Sequence, residues 1–356
     1  MAKDNYFDNR AEKNTIKIRE IVETFPPFAN EFFIGMRNRT SELTRLNYAY
    51  DLRIFFDYLC SMKFKNALEV SELTLRDLET VTAFDIELFL DYLSSYTFGE
   101  KHYKCGEAAK ERKLSTLRSF FKYYFNKDKL SSNVTTKVEL PKKHEKAIIR
   151  LEPDEVVKLL NEAENASDMS KKQRDFHNQT KIRDVAILTL FLGTGIRISE
   201  LVGLNRDDID LNTNSFTVTR KGGNKAILYF SDEVASALAD YYAWLDCQKE
   251  DNAEFYYKIK NHDALFLSIQ GNRISTRAVE LLVKKYSRLI SPLKKITPHK
   301  LRSTYGTELY RETQDIYVVA DVLGHKDVNT TKKHYAAMSE ETRKKAASAV
   351  KLRSDS

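Results

Sequence analysis

The sequence predicts a mainly α chain built as two helical units, the second carrying a small antiparallel sheet. Three observations predict it. Gly and Pro number only 11 and 6 in 356 residues, too few for a turn-rich β architecture. Apolar residues recur at i, i+3, i+4 and i+7 in several stretches, the mark of a helix with one buried face. A single pair of alternating apolar segments flanks Lys221-Gly222-Gly223-Asn224, the pattern of one hairpin. The chain is also longer than one core supports, since single cores stop growing near about 250–300 residues.

Taken in order, residues 1–25 are charged and read as an amino-terminal arm, loosely ordered or a short helix. The first globular unit then spans 26–128. Thr40 and Ser41 offer hydroxyl caps ahead of Leu52, Phe55, Phe56 and Leu59, one helical face. Val81-Thr82-Ala83-Phe84-Asp85 opens a second helix that buries Ile86, Phe89, Leu90 and Leu93. A third runs from about Gly106 to Phe125 with Leu114, Leu117, Phe121 and Tyr124 inward. Its other sides carry Lys110, Arg112, Lys113, Arg118 and Lys122. On an isolated helix such a stripe is a solvated face; in a protein that handles DNA it tracks phosphates.

Periodicity fades over 126–150 and Lys, Ser and Thr accumulate, so 129–150 reads as a linker. Residues 151–356 form the second unit, opening on an acid-rich helical turn at Glu152, Asp154 and Glu155 that suits the helix dipole. The polar run Asn165 to Lys181 reads as a surface loop, and Arg183 to Leu192 as a buried helix. Ser215–Thr219 and Ala226–Phe230 are the two strands of the hairpin, and the remainder is helical. Met338 to Leu352 has the pattern of an amphipathic helix.

With 19 Tyr, 20 Phe and 42% hydrophobic residues, a sizeable core needs no cross-links. Cys60, Cys105 and Cys247 are far apart and read as buried small hydrophobes in a reducing compartment. The start of the chain is polar and no 18-residue apolar run follows, so a cytoplasmic protein with no membrane partner is expected. The formal net charge of +7 suits a polyanionic partner, because each neutralised phosphate releases counterions.

The chemistry lies in a dispersed set: Gly195-Ile196-Arg197-Ile198-Ser199-Glu200, His299-Lys300-Leu301-Arg302, Leu323-Gly324-His325 and Tyr335. Cutting a phosphodiester without water or metal needs an in-line nucleophile and groups that hold the non-bridging oxygens. It also needs an acid for the departing 5′-oxygen. Arg197 and Arg302 are suited to the clamp, since a guanidinium fork matches phosphate and stays charged. His299, three residues before Arg302, shares its helical face, and Tyr335 is the candidate nucleophile. The histidines lack the spacing and carboxylates of a metal site, so neither metal nor cofactor is expected.

These motifs, in this order, resemble the tyrosine recombinase (integrase) family over about residues 150–340, with the first unit loosely similar to its helical core-binding domain. The resemblance implies a catalytic domain at 151–356 and a clamp around double-stranded DNA. It implies that Arg197 and Arg302 hold the scissile phosphate while His299 and His325 hydrogen-bond it. Tyr335 would form a 3′-phosphotyrosyl link, and Glu200 would orient the site. Lys221 would be the general acid, with Lys225 a rival in a slightly long hairpin. The ten residues from His325 to Tyr335 exceed the family's commoner nine, and Ser303 stands where a second His is frequent. The single active site and lack of an arm-binding domain resemble the Xer type, most like its single-recombinase kind. That implies a homotetramer on two paired sites, a Holliday junction, chromosome dimer resolution, a nucleoid location and an FtsK-type translocase as partner. It also implies that the tail docks into a neighbouring protomer, packing on its own domain being the alternative. Phage or transposon integrases share the catalytic set; a type IB topoisomerase or a non-catalytic DNA-binding protein are the rival classes.

Overall fold

The computed structural model describes residues 6–65, 68–139, 149–165, 171–220, 223–251, 259–260, 263–325 and 327–328. The chain divides into two compact units, 1–146 and 147–356. Both are mainly helical, with small antiparallel sheets. Among the described residues no helix is long and apolar enough to cross a membrane.

In the first unit, residues read as an arm form a packed helix. Helix α1 (Tyr6–Val22) sends Ile18 and Ile21 into the core, and Phe25 follows them. Two apolar residues one turn apart suffice to seat a helix whose other positions are charged, which is why the stretch resembles an arm. After α2 (Ala29–Gly35), α3 (Glu42–Tyr58) starts at Ser41, whose Oγ accepts the Thr44 amide at 3.3 Å. A short α4 (Leu75–Glu79) precedes α5 (Ala83–Tyr92). Helix α5 opens on a reciprocal cap: the Thr82 amide donates to the Asp85 carboxylate at 2.8 Å, and the Asp85 amide to the Thr82 hydroxyl. A hairpin, β1 (Tyr96–Phe98) and β2 (Lys101–Tyr103), leads into α6 (Glu107–Phe125).

The core of this unit is aromatic. Phe32 meets Phe120 edge to face at 5.1 Å between centroids, and Phe55 meets Phe89 at 5.2 Å, the geometry that ring quadrupoles favour. One carboxylate is buried beside it. Asp51 on α3 receives Lys113 Nζ at 2.8 Å, Arg112 Nη1 at 2.5 Å and the Thr116 hydroxyl at 2.8 Å, all from α6. A buried charge demands such pairing, so these bonds tie α3 to α6. The stretch expected to begin a linker at residue 129 instead completes this unit. Leu130 and Val138 are buried in its core, and Arg118 Nη2 donates to the Val138 carbonyl at 2.7 Å.

In the second unit α7 (Pro153–Asn165) precedes α8 (Lys171–Thr194), a helix of 24 residues. The surface loop expected up to Lys181 is therefore helical from Lys171, as the first turns of α8. Its inward positions are polar: His177, Thr180 and Asp184 are all buried. Asp184 accepts from Thr180 Oγ1 and Tyr286 Oη, each at 3.0 Å, and from Arg183 Nη2 at 2.7 Å. His177 Nδ1 lies 3.1 Å from the same Tyr286 oxygen. The second half of α8 buries Ala186, Ile187, Leu188, Leu190 and Phe191 completely.

Helix α9 (Ile198–Gly203) leads to a three-stranded sheet of β3 (Ile209–Asp210), β4 (Ser215–Thr219) and β5 (Lys225–Tyr229), in that order. Strands β4 and β5 pair antiparallel from Ser215 opposite Tyr229 to Thr219 opposite Lys225. The second strand thus starts and ends one residue earlier than its apolar run. Helices α10 (Asp232–Asp251), α11 (Thr276–Ile290), α12 (Pro298–Thr313) and α13 (Ile316–Leu323) complete the described fold. Of the cysteines only Cys60 is buried, its thiol pushed up to about 11 by that burial, while Cys247 is exposed.

Candidate active site

The site is built on two left-handed glycines and the turns they permit. Helix α8 ends at Thr194, and Gly195 follows at φ +61. A Cβ there would collide with the Tyr305 ring and the Leu323 side chain, so space as well as backbone conformation requires glycine. The reversal makes Arg197 the first residue before α9. Glu200, in the first turn of α9, accepts the Arg197 amide at 3.0 Å and Arg197 Nη1 at 2.7 Å. Glu200 is only 4% exposed, and among the described residues its carboxylate bonds the Arg197 guanidinium and the amide that starts the helix.

Arg302 reaches the same place from α12. Pro298 occupies the first turn of that helix, where a missing amide hydrogen removes nothing. His299 is exposed on this turn, and Arg302 one turn later is 5% exposed. Arg302 Nη1 donates to the Gly195 carbonyl at 2.5 Å, and Nη2 to the Leu323 carbonyl. Arg302 therefore bridges the break after α8 and the end of α13.

That end is the second reversal. Gly324 has φ +62. Its amide donates to the Asp321 carbonyl at 2.8 Å, and the His325 amide to the Ala320 carbonyl at 2.9 Å, the paired bonds of a Schellman turn. Arginines bond the carbonyls from Asp321 to Gly324. Arg220, at the end of β4, donates Nη2 to Val322 at 3.0 Å and Nη1 to Asp321 at 3.4 Å. Arg302 takes Leu323, and Arg197 Nη2 takes Gly324 at 3.0 Å. Three guanidinium groups from three elements thus converge on the negative end of one helix. His325 is the next residue along the chain and is half-buried.

The structure therefore brings together Arg197, Glu200, Arg302 and the turn that bears His325. It places His299 one turn before Arg302, at the exposed start of α12. Arg197 keeps 34% of its side-chain surface open. A guanidinium offers five donors, and two of the Arg197 nitrogens are engaged by Glu200 and Gly324. Beside them stands one bonded carboxylate, Glu200, so the local charge favours an oxyanion such as a phosphate. Lys225 is exposed at the first position of β5. Lys221, Tyr335 and the tail from Met338 lie outside the described residues. Among the described residues no group of three or more His, Cys, Asp or Glu is arranged to hold a metal ion.

The basic stripe of α6 is divided by its surroundings. Lys122 and Arg112 are exposed, although Arg112 also pairs with Asp51. Lys110 donates to Ser94 Oγ at 2.5 Å, and Arg118 is spent on the Val138 carbonyl. Lys113 does not belong to the stripe: it is 4% exposed and bound to buried Asp51. Arg220 is the residue that sequence reasoning missed. Its partners lie 101 and 102 residues away, and no local pattern announces such a contact.

Residues 149–342 match the family described as Phage integrase family. The chain is 33% identical over 342 residues to Tyrosine recombinase XerS of Streptococcus agalactiae serotype III (strain NEM316), covering 88% of this chain and 93% of that one. It is 32% identical over 328 residues to Tyrosine recombinase XerC of Caldanaerobacter subterraneus subsp. tengcongensis, covering 89% and 86%. Among solved structures, a lambda integrase tetramer bound to a Holliday junction aligns with a TM-score of 0.56 at 18% identity, covering 86% of this chain and 76% of that one. That last likeness is one of fold.

Proposed function

This chain belongs to the phage integrase family, the tyrosine recombinases that cleave and rejoin DNA, and on that premise we propose that it resolves chromosome dimers at one chromosomal site. Its activity is site-specific recombination of the Xer type. The observation that carries the mechanistic reading is the convergence of Arg197 and Arg302 on the turn that bears His325. Such a cluster holds the scissile phosphate and stabilises charge on its non-bridging oxygens as the reaction proceeds.

In this reading the Tyr335 phenol gives up its proton to solvent as its oxygen attacks phosphorus, and the bond to the 5′-oxygen breaks. Lys221 gives the leaving oxygen its proton, with Lys225 as the alternative donor. The product is a 3′-phosphotyrosyl link and a free 5′-hydroxyl. The link conserves the energy of the broken bond, so the 5′-hydroxyl of a partner strand reverses the step without a cofactor. Glu200 holds Arg197 in place throughout. Four protomers act on two paired sites and pass through a Holliday junction, the assembly named for the lambda integrase relative. An FtsK-type translocase brings the sites together, and the protein works in the cytoplasm on the nucleoid.

The test is a nicked duplex carrying the recombination site, which traps the covalent adduct once the short strand diffuses away. Wild-type protein forms an adduct and Tyr335→Phe forms none. An undiminished adduct with Tyr335→Phe refutes the nucleophile assignment. Relaxation of supercoiled DNA without two paired sites would make the protein a topoisomerase instead.

A further inference from the structure

Two of the three arginines that close the end of α13 have a role in the proposed chemistry; Arg220 has none. Its backbone belongs to the hairpin, where its amide donates to the Asn224 carbonyl at 2.8 Å and its carbonyl accepts the Gly223 amide at 3.0 Å. Its side chain leaves the sheet and caps Asp321 and Val322. The approach is close enough that a Cβ on Gly324 would fall on the guanidinium. Nε is buried and takes no hydrogen bond among the described residues. Burying that N–H unpaired opposes this placement, so the two terminal nitrogens hold the side chain there against a local penalty.

We propose that Arg220 is a positioning residue for His325: by capping the end of α13 it fixes the turn from which His325 projects, in register with Arg197 and Arg302. The inference rests on the reading of this site as the phosphate-cleaving centre. The geometry gives each arginine a separate carbonyl, Gly324 to Arg197, Leu323 to Arg302, and Val322 with Asp321 to Arg220. Removing Arg220 leaves the first two bonds in place and frees the preceding turn to unwind. The imidazole then loses its fixed distance from the phosphate, which affects the rate of cleavage and not the grip on DNA. Arg220 also couples the strand before Lys221 to the turn before His325.

The experiment is a double-mutant cycle on full-length protein with the nicked duplex, reading the single-turnover cleavage rate at saturating DNA and, separately, DNA affinity. Arg220→Ala is expected to slow cleavage on the order of 10- to 100-fold, the loss that a misplacement of about 1 Å brings, with affinity unchanged within about twofold. Arg220→Lys, which keeps the charge but reaches fewer carbonyls, recovers part of the rate. In a His325→Ala background, Arg220→Ala adds no further loss, because the group it positions is gone. Equal losses in both backgrounds overturn the inference and leave the site reading intact. A loss confined to DNA affinity also overturns it, making Arg220 a direct DNA ligand. Full-rate cleavage by His325→Ala alone removes the site reading and the inference with it. Should Arg220→Ala fail to fold, as a thermal melt would reveal, Arg220→Lys carries the same cycle.

Discussion

Arg302 illustrates how a single side chain can be nearly hidden and still define a site. Its fork spans two chain reversals, at Gly195 and Leu323, a geometry that a point charge cannot copy. Arg302→Lys is therefore expected to lose about 10- to 100-fold in strand cleavage, from one or two forfeited charge-assisted bonds, and to melt at a lower temperature. Cleavage within twofold of wild type would show that charge alone suffices. Arg197, Glu200, His299, Arg302 and His325 are visible in the sequence because each sits in a short motif of fixed spacing. What brings the arginines and the His325 turn to one place is not visible there. The Gly195 turn and the end of α13 come together where Arg302 bonds the carbonyls of Gly195 and Leu323, and that contact has no local signature. Arg220 remains hidden for the same reason.

At the scale of one element, α8 contains two kinds of interior. Its second half is apolar and its helical face is plain from the residue pattern. Its first half buries His177, Thr180 and Asp184, spaced three and four residues apart, and hydropathy reads that face as solvent. Only the partners on α11, Lys285 and Tyr286, reveal an interior network. This network has a consequence for pH. Burial, and next the positive Lys285, hold the His177 imidazole below its ordinary range. Burial, followed by Asp184, raises the Tyr286 phenol, which stays neutral. A histidine with a lowered folded pKa stabilises the fold above its unfolded value of about 6.5 and loses that contribution as pH falls. The melting temperature is expected to drop between pH 7.5 and 5.5, and His177→Gln to make that drop shallower. Identical slopes for the two proteins would exclude His177 as a contributor.

For the whole molecule, two units are legible from the loss of periodicity after residue 126, but the point where the first unit stops packing is not. Residues 130–138 look like linker because they are polar. They belong to the first unit through Leu130 and Val138 in its core, the buried Thr135, the Ser131 amide bonded to the Glu79 carboxylate at 3.0 Å, and the Arg118–Val138 bond. Charge is similarly misleading when counted along the chain. The net +7 matters for DNA only where cations face solvent. Lys122 does so and Lys113 does not. Each phosphate contact contributes a slope of about −0.9 to the dependence of log affinity on log salt. Lys122→Ala should therefore flatten that slope by about one contact. Lys113→Met should leave it unchanged while lowering the melting temperature. Equal changes in slope from both variants would place Lys113 at the DNA after all.

The Schellman turn at Gly324 also gives the site a clock. The amides of Gly324 and His325 are locked to Asp321 and Ala320, and the carbonyls around them are held by side chains from three other elements. A helix end normally frays in isolation, exchanging its amide hydrogens with solvent almost freely. This one is held in addition by Arg197, Arg220 and Arg302, so its opening is coupled to theirs. The exchange of those two hydrogens for deuterium therefore reports how firmly the arginines hold the turn, and Arg220→Ala is expected to speed it.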